Sequence, residues 1–349
     1  MGYRTAIIGC GRIAWMLEDD PLDVKPCTHM GAYLSEAGMK AGIEVVAASD
    51  INMDRLDAFG KRFGITGLYG DYREMLKRET PDIVSVCGYA TERYPMVMEG
   101  IRAGVRGIWC EKAFAASVKE ARLMVEACTE RGVELIVSHM RRWSGEYRAA
   151  KEMVDAGMIG ELLSVACLFS GSLVHTGTHA FDVLRWFCGP ISWVEGALEG
   201  SSGGFSWDSE EDRGGRALIQ FENGYYATVH AEAKKYFLFE FDIFGTEGRI
   251  RIGNNGLLEY YTPKESRHYT GLRELYPAPF PVIKNKENWW VGALTNLVEA
   301  MEKRGANLST PEDGLRALEA ALAVHMSAKK GGKRVELPIK KTSIRVRST

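Results

Sequence analysis

Residues 3–14, YRTAIIGCGRIA, constrain the fold more than any other stretch of the chain. A short apolar run ends in glycine. The turn after it reads G-x-G-x-x-A, with Gly9, Gly11 and Ala14 at the fixed places and Arg12 and Ile13 between the last two. So tight a turn needs glycine, and so does close approach of backbone to a diphosphate; a following helix would present free N–H groups to the phosphates. Glycine-rich turns are common, so the motif gains its weight from context: a strand before, a helix expected after, and an acidic residue, Asp50, closing the second strand. A carboxylate there can accept ribose hydroxyls and repels a 2′-phosphate, which favours NAD and leaves NADP possible. The competing reading makes Asp50 a cap for the helix in INMDRLDAFGKRFG (51–64).

Asp50 lies further from the glycines than the usual separation of about 20 residues. The surplus is EDDPLDVKPCT (18–28), acidic and with two prolines. It reads as an insertion early in the first crossover, either a surface loop or a segment near a cofactor or substrate mouth.

The apolar-run theme recurs in IEVVAASD (43–50), DIVSVCG (82–88), RGIWC (106–110) and VELIVSH (133–139). Continuous apolar strands of this kind fit a parallel sheet buried on both faces. Helical segments lie between them. The clearest is SVKEARLMVEACTERG, where Ser117 and Glu120 form a capping box, Gly132 is a stop, and Ala121, Met124, Val125 and Cys128 make one stripe. Residues 1–140 are therefore expected to form a doubly wound α/β domain.

Residues 141–349 read differently. Long strands follow one another through turn signals, with Asn223-Gly224 the strongest hairpin. An α+β domain with a large, open, mainly antiparallel sheet is expected. Two helices close the chain, NWWVGALTNLVEAMEKRG and TPEDGLRALEAALAVHMSAKKGG; the second has Thr310 as cap, Pro311 at its first position and Gly331 as stop. The final helix could pack back on the first domain. The loop SSGGFSWDSEEDRGG (201–215) is either surface or substrate-facing.

The formal net charge is −2, so nothing points to nucleic acid or an acidic membrane surface, and the basic KKTSIRVRST reads as a solvated tail. No signal peptide and no apolar stretch of membrane-spanning length stand out. The seven cysteines are odd in number and include no CxxC, so they read as small buried residues in a reducing cytoplasm.

Two places could carry chemistry. Glu111 and Lys112 follow the strand RGIWC, and ligands of open α/β sheets bind outside the carboxyl ends of the strands. A lysine there can exchange a proton with a substrate oxygen if its surroundings suit, whereas the bland reading is a solvated Glu-Lys pair. The second is HTGTHAFD (175–182), where His175 and His179 are four residues apart. One zinc could be shared at that spacing, but it needs a third ligand, Gly177 intervenes, and there is no HExxH glutamate, so no metal is assigned. Ala180, Val183, Leu184 and Phe187 follow a core stripe, and a histidine near that helix start could simply cap or fill space.

In order and spacing, GCGRIA, CEKA, VSHMRRWSGEYRAAKEMVDAGMIGELLSV, GTHAFDVLRWFCG and STPEDGLRALEAALAVHMSAKKGGKRVELP resemble the Gfo/Idh/MocA oxidoreductase family. The resemblance covers nearly the whole chain. It implies an N-terminal Rossmann domain and NAD(P)-dependent oxidation or reduction of a sugar, cyclitol or nucleotide sugar. It also implies a homodimer or homotetramer formed through the open sheet. It carries the family's lysine and histidine at the reactive carbon onto Lys112 and His179. Ala113 stands where that family usually has proline, and His175 where many members have aspartate; His175 either orients His179 or binds substrate. Glu111 is grouped with the cofactor residues, Asp182 is expected as a structural partner at the helix start, and Arg142 and Trp143 match a segment that often reaches the substrate. Two rival functions share the fold: a lyase or glycosidase that recycles its NAD, and a non-catalytic NAD-binding sensor.

Overall fold

The computed structural model describes residues 2–200, 210–232, 236–254, 256–284 and 286–347. The chain divides into two compact units. The first comprises Met1–Trp143, Glu287–Leu315 and Arg347–Thr349, and the second Ser144–Lys286 and Arg316–Val346.

The first unit begins with β1 (Tyr3–Ile8), two short helices α1 (His29–Tyr33) and α2 (Glu36–Lys40), and β2 (Ile43–Ser49). It continues through α3 (Met53–Phe63), β3 (Gly67–Tyr69), α4 (Tyr72–Glu79), β4 (Ile83–Val86), α5 (Ala90–Arg102), β5 (Gly107–Cys110), α6 (Val118–Arg131) and β6 (Glu134–Val137). Its six strands lie in the order β3-β2-β1-β4-β5-β6, all parallel. The five expected strands are present, and β3, too short to carry a periodicity, completes the doubly wound sheet. Ser117 caps α6 by accepting the Glu120 N–H, and Gly132 ends it in the left-handed region.

One expectation fails here. No continuous helix follows the glycine turn. The chain makes tight turns and a single 3₁₀ turn, Met16–Asp19, and then leaves helical geometry at Asp20. Pro21 follows, and a residue before proline is driven towards extended backbone. Helix resumes only at α1, where the Thr28 hydroxyl accepts the Gly31 N–H. Between them, the 18–28 insertion is an exposed loop with a pinned base. Glu18 accepts from the Cys27 N–H and the Thr28 hydroxyl, both at 2.8 Å, while Leu22 and Val24 stand out in solvent.

The second unit contains α7 (Gly145–Asp155), β7 (Leu162–Ser170), α8 (Gly177–Cys188), β8 (Ile191–Leu198) and the two-residue β9 (Glu210–Glu211). Six strands follow: β10 (Gly215–Phe221), β11 (Tyr226–Glu232), β12 (Phe239–Gly245), β13 (Gly248–Gly253), β14 (Leu258–Glu265) and β15 (Arg273–Ala278). After them come α9 (Trp289–Met301), α10 (Pro311–Lys329) and β16 (Val335–Glu336). The large sheet has nine strands in the order β15-β14-β13-β12-β7-β11-β10-β8-β16. It is mixed rather than purely antiparallel, because β11 and β7 run parallel at its centre. The Asn223-Gly224 hairpin joins β10 and β11 as expected. Inward positions are apolar: Phe169, Phe239, Phe241 and Tyr147 stack within one another's reach. Gly196 lets α10 lie directly on β8, since a Cβ there would come within 2.7 Å of Val324; the Ser327 hydroxyl accepts the Gly196 N–H.

The domain boundary falls at Trp143/Ser144, three residues beyond the expected one, and it is the penultimate helix that returns to the first unit. There α9 supplies Leu294, Leu297 and Val298 to a core with Ile7, Trp109, Ile136 and Trp143, whereas only the first turn of α10 belongs to that unit. Residues 201–209 of the Gly-Ser-acid loop lie outside the described residues.

Candidate active site

In the first unit the glycine turn leaves the carboxyl end of β1. Gly9 has φ +92°, where only glycine is comfortable, and a Cβ on it would sit 3.0 Å from the Gly88 nitrogen beyond β4. A Cβ on Gly11 would meet nothing within 4 Å, so open space lies over that residue, as close approach of a diphosphate requires. Asp50 closes β2 and braces this turn. Its carboxylate accepts the Cys10 N–H at 2.8 Å, the Asn52 N–H at 2.8 Å and the Arg55 guanidinium at 3.2 Å. The cap of α3 is Asn52, not Asp50. An ionised carboxylate offers about four acceptor sites, so one remains for a ribose hydroxyl. The cradle therefore fits NAD: Gly9, Gly11, Arg12, Ile13 and Ala14 would line its diphosphate side and Asp50 its ribose side. With no helix continuing from the turn, loose backbone N–H groups rather than a helix dipole would meet the phosphates.

Glu111 and Lys112 follow β5, at the same carboxyl edge of the sheet. They are not a solvated pair. Glu111 is buried; His29 Nε2 lies 3.2 Å from its Oε1, and its Oε2 accepts the Lys112 N–H at 3.2 Å. Burial alone would raise this carboxyl, but the His29 hydrogen bond and the charges of His29, Lys112 and Arg93 outweigh it and hold it at about 2. Its ionisation therefore favours the fold above the ordinary carboxylate range, and that contribution disappears as pH falls towards about 2. The Lys112–Ala113 peptide is cis, and Arg93 donates to the Ala113 carbonyl. Glu111, expected to touch cofactor, has its carboxylate turned to His29 and the Lys112 backbone instead. Lys112 itself is half-buried.

Two further expectations are revised in this unit. Trp143 is enclosed in the core at 3% exposure, with its indole N–H on Asn296 and its ring against Gly292. Arg142 spends its guanidinium on the Leu308 carbonyl and on Asp313, at 3.2 and 3.1 Å. Asp313 also forms a capping box with Thr310 at the start of α10, so Arg142 braces a helix start. The enclosed Trp143 belongs to the core rather than to a substrate site.

In the second unit α8 begins only at Gly177, so His175 lies in the turn before it and His179 is the third helical residue. His175 is exposed and His179 half-buried. Asp182 is completely buried further along α8. The turn is gripped from outside by Asp212, which accepts from the Ser172 hydroxyl at 2.6 Å, the Val174 N–H at 2.8 Å and the His175 N–H at 2.7 Å. His325, on α10 and fully enclosed, brings its Nε2 to 3.8 Å from the same carboxylate. Sequence reasoning missed Asp212 and His29. Each meets its hydrogen-bond partners 37 to 82 residues away, and no local pattern marks such a pairing.

Burial pushes the Cys10, Cys110, Cys128 and Cys188 thiols up to about 12, which removes them as nucleophiles. Among the described residues no helix is long and apolar enough to cross a membrane.

Residues 3–139 match the model of an oxidoreductase family's NAD-binding Rossmann fold, and residues 151–337 match that family's C-terminal alpha/beta domain. The chain is 27% identical to a D-apiose dehydrogenase of Paraburkholderia graminis, over 94% of this chain and 88% of that protein. It is 32% identical to inositol 2-dehydrogenase 3 of Saccharopolyspora erythraea, over 42% of this chain and 46% of that one. In fold it resembles the WlbA dehydrogenase of Bordetella pertussis, solved with NADH and UDP-GlcNAcA, with a TM-score of 0.77 at 20% identity, covering 97% of this chain and all of that one. It also resembles levoglucosan dehydrogenase solved with NADH and levoglucosan, with a TM-score of 0.80 at 18% identity and the same coverage.

Proposed function

This chain belongs to the Gfo/Idh/MocA oxidoreductase family, and from that premise we propose that it moves hydride between a secondary hydroxyl of a sugar, cyclitol or nucleotide sugar and NAD, with Lys112 and His179 handling the hydroxyl proton. The observation that carries the reading is the placement of the glycine cradle and of Lys112 at the carboxyl edge of one parallel sheet, where open α/β folds bind their ligands. The relatives named for apiose and inositol support a polyhydroxylated substrate.

Bound NAD supplies the hydride acceptor. The protein's own groups do the rest. Asp50 takes a ribose hydroxyl. His179 takes the hydroxyl proton of the substrate, and Lys112 assists as a proton carrier whose backbone Glu111 holds still. The exposed His175 meets a substrate hydroxyl rather than serving as a buried orienter of His179. In the direction of reduction the same groups return the proton.

The test is nicotinamide reduction by purified protein with NAD and NADP separately, across cyclitols, free sugars and nucleotide sugars. Substrate-dependent reduction with NAD that vanishes without Lys112 is expected. Product formed without accumulation of reduced cofactor would instead identify a recycling lyase or glycosidase, and cofactor binding with no turnover of any substrate would favour a sensor.

We also assign homo-oligomerisation to the uncovered face of the nine-stranded sheet. Leu168, Leu218 and Tyr226 alternate with the core positions of their strands and stand exposed there. A Leu168→Glu, Leu218→Glu variant is expected to sediment as a single chain with its far-ultraviolet spectrum unchanged. An oligomer that survived both charges would place the contact elsewhere. All seven cysteines are free thiols, which suits the reducing cytoplasm assigned to the protein.

A further inference from the structure

A buried chain of polar groups in the first unit ends at the backbone N–H of Lys112. The Tyr33 hydroxyl is 2.6 Å from Ser85 Oγ, and Ser85 Oγ is 2.8 Å from His29 Nδ1. His29 Nε2 is 3.2 Å from Glu111 Oε1, whose other oxygen accepts the Lys112 N–H. His29 and Ser85 have no exposed surface, and Tyr33 and Glu111 almost none. We infer that His29 is a positioning residue for Lys112, acting through Glu111: it keeps that carboxylate ionised and fixed one residue before the lysine, so that Lys112 holds both its charge and its place. The inference rests on the proton-handling role given to Lys112 above.

Donation can run in one direction throughout. The Tyr33 O–H donates to Ser85, the Ser85 O–H donates to His29 Nδ1, and the His29 Nε2–H donates to Glu111. Every hydrogen in the line then has an acceptor. The line ends on the one group that most needs donors, because a buried carboxylate without them takes up a proton. Rotation of the imidazole is blocked by Trp109 and Trp290, whose ring centroids lie 4.2 and 5.4 Å from its own.

The other ionisable groups facing this cluster are Arg93 from α5, Cys87 after β4 and Cys110 at the end of β5. Burial pushes both thiols up, so they stay neutral. The charges of Lys112 and Arg93 both bear on the one buried carboxylate and lower it. Remove the His29 donor and Glu111 is left with the Lys112 N–H and the field of those charges. Protonation of Glu111 then becomes easier, and Lys112 loses the charge that favours its ammonium form.

The test reads Lys112 directly and needs no turnover. The full-length protein is reductively dimethylated with ¹³C, the Lys112 signal is identified by its absence from K112R, and its shift is followed against pH. In E111Q the Lys112 titration is expected to fall by about one pH unit, the ordinary size of losing a neighbouring opposite charge. H29F is expected to lower it in the same direction. H29Q, which keeps an N–H within reach of Glu111, should restore most of the difference, and H29F/E111Q should move it no further than E111Q alone. H29N, with a donor too short to reach Glu111, is the companion variant if H29F does not fold, judged by the same criterion. A Lys112 titration that E111Q lowers and every His29 variant leaves alone would overturn the inference and reduce His29 to packing. Absence of dehydrogenase turnover in the parent protein would count against the proposed function, and the titration would still decide the role of His29.

Discussion

Replacing Lys112 by alanine is expected to lower kcat by about 10²- to 10⁴-fold, the range that a positioned general acid or base contributes. The affinity for NAD should change by less than about tenfold, because the cradle is built from Gly9, Gly11 and Asp50 rather than from Lys112. Arginine is the sharper substitution. It keeps the positive charge but cannot release a proton near neutral pH. Lys112→Arg should therefore be nearly as slow as Lys112→Ala if the lysine transfers a proton, and much faster if it only attracts substrate. His179→Ala should fall in the same range. If both groups serve one proton, the double variant loses little more than either single one, since residues acting as a unit are strongly non-additive. Steady-state kinetics, with cofactor affinity measured by fluorescence, decide this. Near-normal turnover in either alanine variant with intact NAD binding would end the proton-handling assignment.

The second large effect is expected at Asp212. Its carboxylate collects three donors from Ser172, Val174 and His175, and its side chain is only 6% exposed. Asp212→Ala leaves those donors without their acceptor, and each unsatisfied group that is buried costs about 1–3 kcal/mol. Asparagine is no remedy, because its amide turns N–H groups towards N–H and O–H donors. A destabilisation of about 2–4 kcal/mol is expected for Asp212→Ala in chemical denaturation. The turn that carries His175 and leads into His179 would then lose the three bonds that Asp212 gives it. Misplacement of a reacting group by about 1 Å can cost about 10²-fold in rate, so kcat should fall by about that factor below the melting range. A variant as stable and as fast as the parent would show that the grip of Asp212 is incidental. Loss of stability without loss of kcat would confine it to the fold.

Much of this molecule is written locally. The apolar runs of β1, β2, β4, β5 and β6, the Ser117–Glu120 cap, the Asn223-Gly224 turn and the Thr310 cap are each set by residues within a few positions of one another, and each forms where those residues predict. Local signals account for only part of the failure in the first crossover: Pro21 ends helical backbone at Asp20, whereas the break at Trp15, with φ −160°, lies upstream of both prolines. The candidate site was legible only in outline. Lys112 and His179 could be singled out from motif and order, but the partner of Glu111 could not.

The sequence by itself determined the kind of sheet each half builds, where the glycine turn falls, and which lysine and histidines are available for chemistry. These follow from side-chain period and backbone conformational preference, which act over a few residues. Tertiary structure alone decided that His29 meets Glu111, that Asp212 grips the turn before α8, that Trp143 belongs to the core, and that α9 rather than the last helix returns to the first unit. Those contacts join segments far apart along the chain. They are selected by how whole elements pack to bury apolar surface and to satisfy buried polar groups, and no short pattern of residues encodes that choice.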